Sequence, residues 1–450
     1  MDMQAYDVKN KNIIVFGLGV TGISSVKALS ALGANVYIYD ANKNEKYHKT
    51  IEELSDSKVS AINDLLDIDW KNIDLVLKSP GIRLDQELII SALENNIEVI
   101  SDIELAYRIW PNISMIGITG TNGKTTTTSL VSHILSCSGT KSKVVGNIGV
   151  GILDEVLTNG LDTTFVLEVS SFQLASSPNL KTKYAAILNI SPDHIDWHGS
   201  FEEYKKCKIR LTSNQTKDDV IVLNNDDSYF SEICENTVAK IRRISSINAV
   251  NEGSYCLEDN IYRDGQIISI KRSDLKLVGD HNTQNLLFAI ELAMAFGLSE
   301  DDIGNGVKTF MPIEHRIEPV KVVNGAMYYN DSKGTNVDST VKAIGGFKEP
   351  IILIAGGYDK KATYDDLFDG VKNLKEVILF GQTKFDIEAT AKKYGIQTLI
   401  VDDLEQAVKR AYDIALDKDV VLFSPACASW GMYNNFEERG RHFKELVNKL

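Results

Sequence analysis

Short apolar runs alternate along this chain with stretches whose apolar residues recur at helical spacing. The first runs are Ile13-Ile14-Val15-Phe16, Val36-Tyr37-Ile38-Tyr39 and Leu75-Val76-Leu77. A second set comprises Ser114-Met115-Ile116-Gly117-Ile118, Thr164-Phe165-Val166-Leu167 and Ala185-Ala186-Ile187-Leu188. A third follows Pro312, with Ile351-Ile352-Leu353-Ile354, Val377-Ile378-Leu379-Phe380 and Val420-Val421-Leu422-Phe423. Strand-length runs interleaved with helical periodicity predict mostly parallel sheets covered by helices. The pattern therefore predicts an α/β protein of three domains in series, with boundaries near Asp102 and Pro312: residues 1–102, 103–312 and 313–450.

Composition agrees with that division. A chain of 450 residues exceeds what one hydrophobic core usually serves. With only 8 prolines and no low-complexity tract, the linkers are expected to be short.

Two glycine-rich turns add chemistry to the pattern. The first, Gly17-Leu18-Gly19-Val20-Thr21-Gly22, lies between an expected strand and an expected helix, and Asp40 closes the next strand. That is a dinucleotide-binding arrangement, in which an acid at the end of the second strand meets a ribose hydroxyl. The same strand, tight turn and helix N-terminus also hold other pyrophosphates or uridine-type nucleotides, or serve close packing alone.

The second is Gly120-Thr121-Asn122-Gly123-Lys124-Thr125, preceded by a strand run and followed by the stripe Leu130, Val131, Ile134 and Leu135, which stops before Gly139. In a phosphate-binding loop, backbone N–H groups and the helix N-terminus face the phosphates, the lysine reaches the β- and γ-phosphates, and the threonine hydroxyl binds Mg²⁺. Lys124 and Thr125 suit these roles, although Ile118 occupies the position of the strict pattern's first glycine.

Charge and cysteine usage narrow the partners. A net charge of −14 opposes nucleic-acid binding, which relies on clustered lysine and arginine. Small anionic substrates are compatible with it if local cations and backbone N–H groups hold them. The five cysteines, Cys137, Cys207, Cys234, Cys256 and Cys427, are scattered without ligand spacing, which predicts reduced thiols and no zinc site. The N-terminal segment lacks an apolar signal core, and no apolar run approaches the roughly 20 residues of a membrane helix, so a cytoplasmic protein is expected.

Taken together, GLGVTG at Gly17, GTNGKTTTT at Gly120, EVSSFQL at Glu168, NISPDHIDWHGS at Asn189, GDHNTQN at Gly279, EHRIE at Glu314, NDSKGTN at Asn330 and SPACASWGMYNNFEERG at Ser424 resemble the Mur ligases over essentially the whole chain. The Asp-Asn-Pro-Arg motif of the members that add a diamino acid is absent, which favours D-glutamate. The resemblance implies Rossmann-like N- and C-terminal domains around a central P-loop ATP-binding domain. It also implies ATP-driven addition of D-glutamate to UDP-N-acetylmuramoyl-L-alanine through an acyl phosphate, with ADP and phosphate released, in peptidoglycan precursor synthesis by a cytoplasmic monomer.

The site residues follow from the same resemblance. ATP is expected on Gly120, Thr121, Asn122, Gly123, Lys124, Thr125, Thr126, Asn282, Asn285, Arg316, Asp331 and Lys333, the last three closing over it from the third domain. Thr125 and Glu168 are expected to hold one Mg²⁺, and His194 and a carbamylated Lys208 a second. Lys124, Glu168, His194 and Lys208 thus form the catalytic set. The acceptor is expected near Leu18, Val20, Thr21, Asp40, Ser79, Asn147, Gln173 and His194, and D-glutamate at Thr335, Lys360, Ser429 and Phe436.

Plainer readings of some of these residues coexist. Without the family, Lys205, Lys206, Lys208 and Arg210 form a solvated basic helix face. Asn282 reads as a helix N-cap, and Ser429 and Phe436 as a turn hydroxyl and a core aromatic. Gly431 stands where many members of the family carry an acidic residue. Other whole-chain readings are an NAD-dependent oxidoreductase built on Gly17 to Gly22, a related ligase such as a folylpolyglutamate synthetase, and a nucleotide switch without ligase chemistry.

Overall fold

The computed structural model describes residues 5–43, 45–54, 58–277, 279–312, 314–358 and 363–450. The chain divides into two compact units: Met1–Leu275 with Thr283–Phe310, and Lys276–Asn282 with Met311–Leu450.

The first unit holds two sheets. Five parallel strands form the first, in the order Val59–Ala61, Asn35–Tyr39, Asn12–Phe16, Leu75–Lys78, Val99–Ile100. Chain order reverses at Asn12–Phe16, whose neighbours on either side are the second and fourth strands. In open α/β sheets such a reversal leaves a crevice at the carboxyl ends of the strands, where ligands bind. Gly17 to Gly22 and Ser79 lie at that crevice.

The second sheet has nine strands, and its order reverses at Met115–Thr119, which lies between Thr164–Glu168 and Tyr184–Ile187. The glycine-rich loop after Thr119 is therefore at a second switch point. Beyond Val220–Asn224 and Lys240–Ser245 the sheet continues into Gly253–Leu257, Asn260–Arg263 and Gln266–Lys271, the last two pairing antiparallel. Glu291 anchors this extension: it is buried within the apolar run 286–296 of the helix His281–Phe296, and its carboxylate pairs with Arg242 (2.7 Å) and Arg263 (3.2 Å). A buried carboxylate this close to two guanidinium groups is neutralised where it would otherwise be costly.

One hydrophobic core spans both sheets, joining Val26, Leu29 and Ile103 to Val145, Ile152 and Leu153. Polar contacts follow the same seam: the Ser101 and Ser177 hydroxyls are 2.7 Å apart, and the Ser24 hydroxyl donates to the Gly151 carbonyl at 3.2 Å. The strands of the three sheets fall in residues 12–100, 115–271 and 318–423, and the first two sheets are packed as one unit because apolar surface is shared between them.

The second unit carries six strands in the order Glu318–Val323, Ala326–Asn330, Val420–Phe423, Ile351–Ala355, Leu374–Leu379, Thr398–Ile400. Only the edge strand Glu318–Val323 is antiparallel to its neighbour. Apolar clusters cover both faces, one including Phe347, Leu353 and Leu367 and the other Phe380, Phe423 and Phe443.

Gly22 decides how closely the helix Val20–Ala31 approaches the first strand, because a Cβ there would stand 1.9 Å from the Gly17 carbonyl oxygen. At Gly19 a Cβ would meet nothing within 4 Å. Gly22→Ala should destabilise the first unit by about 1–3 kcal/mol, the scale of overpacking. Calorimetry should show a lower melting temperature for Gly22→Ala and a smaller loss for Gly19→Ala.

Candidate active site

The loop after Met115–Thr119 is shaped by its glycines and clamped by the segment Asn189–Ser191. Gly123 has φ +84°, and a Cβ on it would lie 2.5 Å from Asn285 Oδ1. The Asn122 N–H donates to Asn189 Oδ1 (2.9 Å), and Asn189 Nδ2 donates back to the Asn122 carbonyl (3.1 Å). Thr121 donates its N–H to the Asn189 carbonyl at 2.9 Å, and its hydroxyl meets the Ser191 carbonyl and the Tyr204 hydroxyl at 3.1 and 2.9 Å. Lys124 then begins the helix Lys124–Cys137, whose positive end faces the loop, with Thr125 and Thr126 in its first turn. Asn285, on the helix His281–Phe296, accepts from the Thr127 hydroxyl at 3.1 Å and so lies beside this turn. That helix starts at His281, which makes Asn282 its second residue and not its N-cap.

The Gly120 carbonyl receives two ammonium groups, from Lys124 at 2.8 Å and Lys208 at 2.7 Å. Lys208 is 1% exposed and lies over the Tyr204 ring, 4.7 Å from its centroid. The solvated-face reading of this helix, Phe201–Ile209, therefore fails for Lys208. It holds for Lys206, whose side chain is 66% exposed. Burial holds the Lys208 ammonium well below the usual lysine range, and the Lys124 charge pushes the same way, while Asp193 and Glu168 oppose it.

Glu168 ends the strand Thr164–Glu168 and is buried. One of its oxygens accepts from Asn147 Nδ2 at 2.8 Å, and the other, Oε2, is buried with no hydrogen-bond partner. An orphaned buried carboxylate oxygen is costly unless something cationic takes it up. Hard, oxygen-seeking Mg²⁺ fits this donor together with the Thr125 hydroxyl. His194 adopts the left-handed conformation (φ +49°) as the N-cap of the short helix Ile195–His198. Its imidazole lies 3.5 Å from Asp193 and 4.8 Å from the Phe172 ring. Sequence reasoning passed over His198, whose Nε2 meets the Ser171 hydroxyl at 2.9 Å and whose pKa burial lowers to about 4, with His194 and Lys208 adding to the shift. It is a neutral imidazole inside the aromatic cluster of Phe172, Trp197 and Tyr204.

At the first sheet's crevice, the Ser79 hydroxyl donates to the Gly17 carbonyl at 2.8 Å. The Asp40 carboxylate accepts from the Leu18 N–H (2.7 Å) and the Asn42 N–H (2.8 Å), so it fixes the glycine-rich turn from within. Val20 is exposed beside it, with Leu18 and Thr21 partly so. Gln173 is 0% exposed: its carbonyl oxygen accepts from Ser170 in a capping box, and its amide approaches Asp102 at 3.5 Å.

In the second unit, the carboxyl ends of the adjacent parallel strands Ala326–Asn330 and Val420–Phe423 bring Asp331 and Ser424 together. Asp331 accepts from the Ser424 hydroxyl at 2.6 Å and the Ile317 N–H at 3.2 Å, and burial raises its pKa to about 6. The Lys333 ammonium lies 5.3 Å from the centre of the Phe436 ring, and the Phe436 carbonyl accepts from the Ser332 hydroxyl at 2.8 Å. Arg316 precedes Ile317 with its Nε buried, Thr335 is half-buried two residues beyond Lys333, and Ser429 is buried. Lys360 lies outside the described residues. Glu314, His315 and Glu318 lie close together, but Lys444 pairs with both glutamates at 2.7 and 2.8 Å, which makes the group an ion-pair cluster.

Comparison with known proteins defines the class. Family models for the Mur ligase MurD-like N-terminal domain, the Mur ligase middle domain, and the Mur ligase glutamate ligase domain match residues 11–101, 118–293 and 315–427. The chain belongs to the Mur ligase family. UDP-N-acetylmuramoylalanine--D-glutamate ligases from Alkaliphilus oremlandii and Clostridioides difficile are each 41% identical, over 99% of this chain and 99% and 100% of theirs. The Lachnospira eligens ligase of the same name is 42% identical over 99% of this chain and all of its own. Among solved structures, the UDP-N-acetylmuramate-alanine ligase of Thermotoga maritima superposes with a TM-score of 0.61 at 20% identity, covering 98% of this chain and 99% of that one. That likeness supports the three-domain fold.

The Asn189 clamp predicts a selective defect. Asn189→Ala removes a reciprocal pair of hydrogen bonds from the loop, so KM for ATP in steady-state phosphate release should rise about thirtyfold, from net contributions of about 1 kcal/mol per bond. An unchanged KM would show that the loop holds its shape without the clamp.

Proposed function

We propose that this chain is the ATP-dependent ligase that joins D-glutamate to UDP-N-acetylmuramoyl-L-alanine in peptidoglycan precursor synthesis. The observation that carries the reading is the gathering of Lys124, Lys208 and Glu168 around one phosphate-binding loop, in a chain alike end to end with ligases of that name. An acceptor carboxylate oxygen attacks the ATP γ-phosphorus, ADP leaves, and an acyl phosphate forms. The D-glutamate amine then attacks the acyl carbon, phosphate leaves, and the nitrogen loses a proton to give the amide.

Moving a phosphoryl group is mainly a matter of position and of charge on oxygen. In this reading Lys124 swings from the loop carbonyls to the transferring oxygens, and loop N–H groups hold the phosphates. Thr125 and Glu168 would hold a Mg²⁺, which would supply neutralising charge to the phosphates. His194 and the carbamate of Lys208 would hold a second. Carbon dioxide adds only to a neutral amine, and burial beside Lys124 shifts Lys208 towards that form. The first sheet's crevice, with Leu18, Val20, Thr21, Asp40 and Ser79, takes the uridine end of the acceptor, and Asn147 and Gln173 belong to its reacting end. The third sheet's loops take D-glutamate through Thr335, Lys360, Ser429 and Phe436. Asn282, Asn285, Arg316, Asp331 and Lys333 complete the ATP contacts. The same reading makes the protein a cytoplasmic monomer without a nucleic-acid partner, and no described helix is long and apolar enough to cross a membrane.

Phosphate release with ATP, Mg²⁺ and UDP-N-acetylmuramoyl-L-alanine should require D-glutamate from a panel of amino acids. Equal release with other amino acids would refute the specificity, and release needing neither co-substrate would indicate a nucleotide switch. Lys124→Ala should lower kcat by at least about 100-fold, the scale of losing a preorganised charge contact. Carbamylation predicts activity that falls when bicarbonate is removed and a carbamate mass on Lys208. Full activity of Lys208→Ala would contradict that role.

A further inference from the structure

Lys78 is a buried cation that the chemistry above does not use. It ends the strand Leu75–Lys78 at the switch point of the first sheet and is 1% exposed. Its ammonium faces three carbonyl oxygens of the turn that follows, those of Ser79, Pro80 and Ile82, at 3.5, 3.4 and 3.2 Å. It also lies 5.5 Å from the centre of the Trp197 ring, in the short helix capped by His194. Burial lowers its pKa to about 8, with Asp102 opposing, so the ammonium remains the main form at neutral pH. A second cation from the same turn, Arg83, donates to the Asp196 carbonyl at 2.6 Å.

A buried ammonium has to be repaid by the groups it organises. The groups here belong to two different sheets. One is the turn whose Ser79 hydroxyl holds the Gly17 carbonyl, and the other is the segment from His194 to His198. Aliphatic residues could fill the same volume, but they could not draw three carbonyls inward and bind a ring face at once.

We propose that Lys78 is a positioning residue for the UDP-sugar acceptor, fixing the Ser79–Ile82 turn of the first sheet against the His194–His198 segment of the second. The crevice that one acceptor molecule must span is thereby given a set width. This inference rests on the ligase reading for the identity of the acceptor, and on the geometry alone for the role of Lys78.

The test is titration calorimetry of the full-length enzyme with UDP-N-acetylmuramoyl-L-alanine, together with KM for all three substrates. Lys78→Met should weaken acceptor binding and raise its KM at least about tenfold, the scale of losing a cation–π contact and a set of charged hydrogen bonds. KM for ATP and D-glutamate should stay within about twofold, since those sites draw on other loops. Lys78→Arg should recover part of the loss. Trp197→Leu, which keeps the lysine and removes the ring, should show the same acceptor-specific defect and serves if Lys78→Met does not fold. Unchanged acceptor binding in a folded variant, or an equal rise in all three KM values, would overturn the assignment. Wild-type enzyme that fails to bind the acceptor would overturn the ligase reading as well, so the two failures are distinguishable.

Discussion

A single carbonyl oxygen, that of Gly120, organises the centre of this protein. It accepts from Lys124, which belongs to its own loop, and from Lys208, which arrives from the helix Phe201–Ile209. One acceptor with two lone pairs can satisfy both ammonium groups, but it cannot relieve the repulsion between them. The buried partner bears that cost: Lys208 loses proton affinity through burial first and the Lys124 charge second. The half-buried Lys124 keeps access to the loop mouth. Two residues of one type that share one acceptor thus sit in different environments, Lys208 buried and Lys124 half-buried.

The rest of the first unit keeps that oxygen in place. Strand Met115–Thr119 fixes one end of the loop, and Asn189 and Ser191 fix the middle through hydrogen bonds to Asn122 and Thr121. Tyr204 connects the two lysines to this clamp, since its hydroxyl meets Thr121 and its ring lies under Lys208. Because the core runs on into the first sheet, that sheet's crevice and the glycine-rich loop share one rigid support. Reacting atoms must be held within a few tenths of an ångström for transfer to be efficient, and a shared core provides such support where a flexible linker would not.

Much of this was legible in the sequence, and the boundary of what was legible has physical causes. The strands around both glycine-rich turns declared themselves because fully buried parallel strands are continuous apolar runs. Glu168 could be placed because it directly follows such a run. Lys208 could not be separated from Lys206 by any local signal, since depth on a short polar helix is set by what packs over it, here Tyr204 and the Gly120 loop. The strands from Gly253 to Lys271 escaped notice because their alternation is weak and interrupted by Asp and Asn turns. Glu291 in an apolar helix was the available clue to them, since such a carboxylate requires buried partners, and Arg242 and Arg263 come from that part of the sheet. Asp40 illustrates the reverse case: its position was legible, but the structure turns its carboxylate onto the Leu18 N–H, where it shapes the turn.

The chain's net charge of −14 and the anionic substrates of the ligase reading pose one further question, which two carbonyl-held lysines, Lys124 and Lys78, resolve. A surface field of that sign repels nucleotides at long range, but salt screens it over about 8 Å at physiological ionic strength. At contact distance the field is set by the groups lining each crevice, and burial makes those few count more than many exposed carboxylates. Lys124 provides positive potential at the second sheet's switch point, and Lys78 provides it at the first. Both ammonium groups meet backbone carbonyls, which fix their direction without neutralising their charge. Carbonyl-held lysines are therefore the arrangement by which an acidic protein can present local positive charge to phosphates, and the glycine-rich turns supply the N–H groups that complete it.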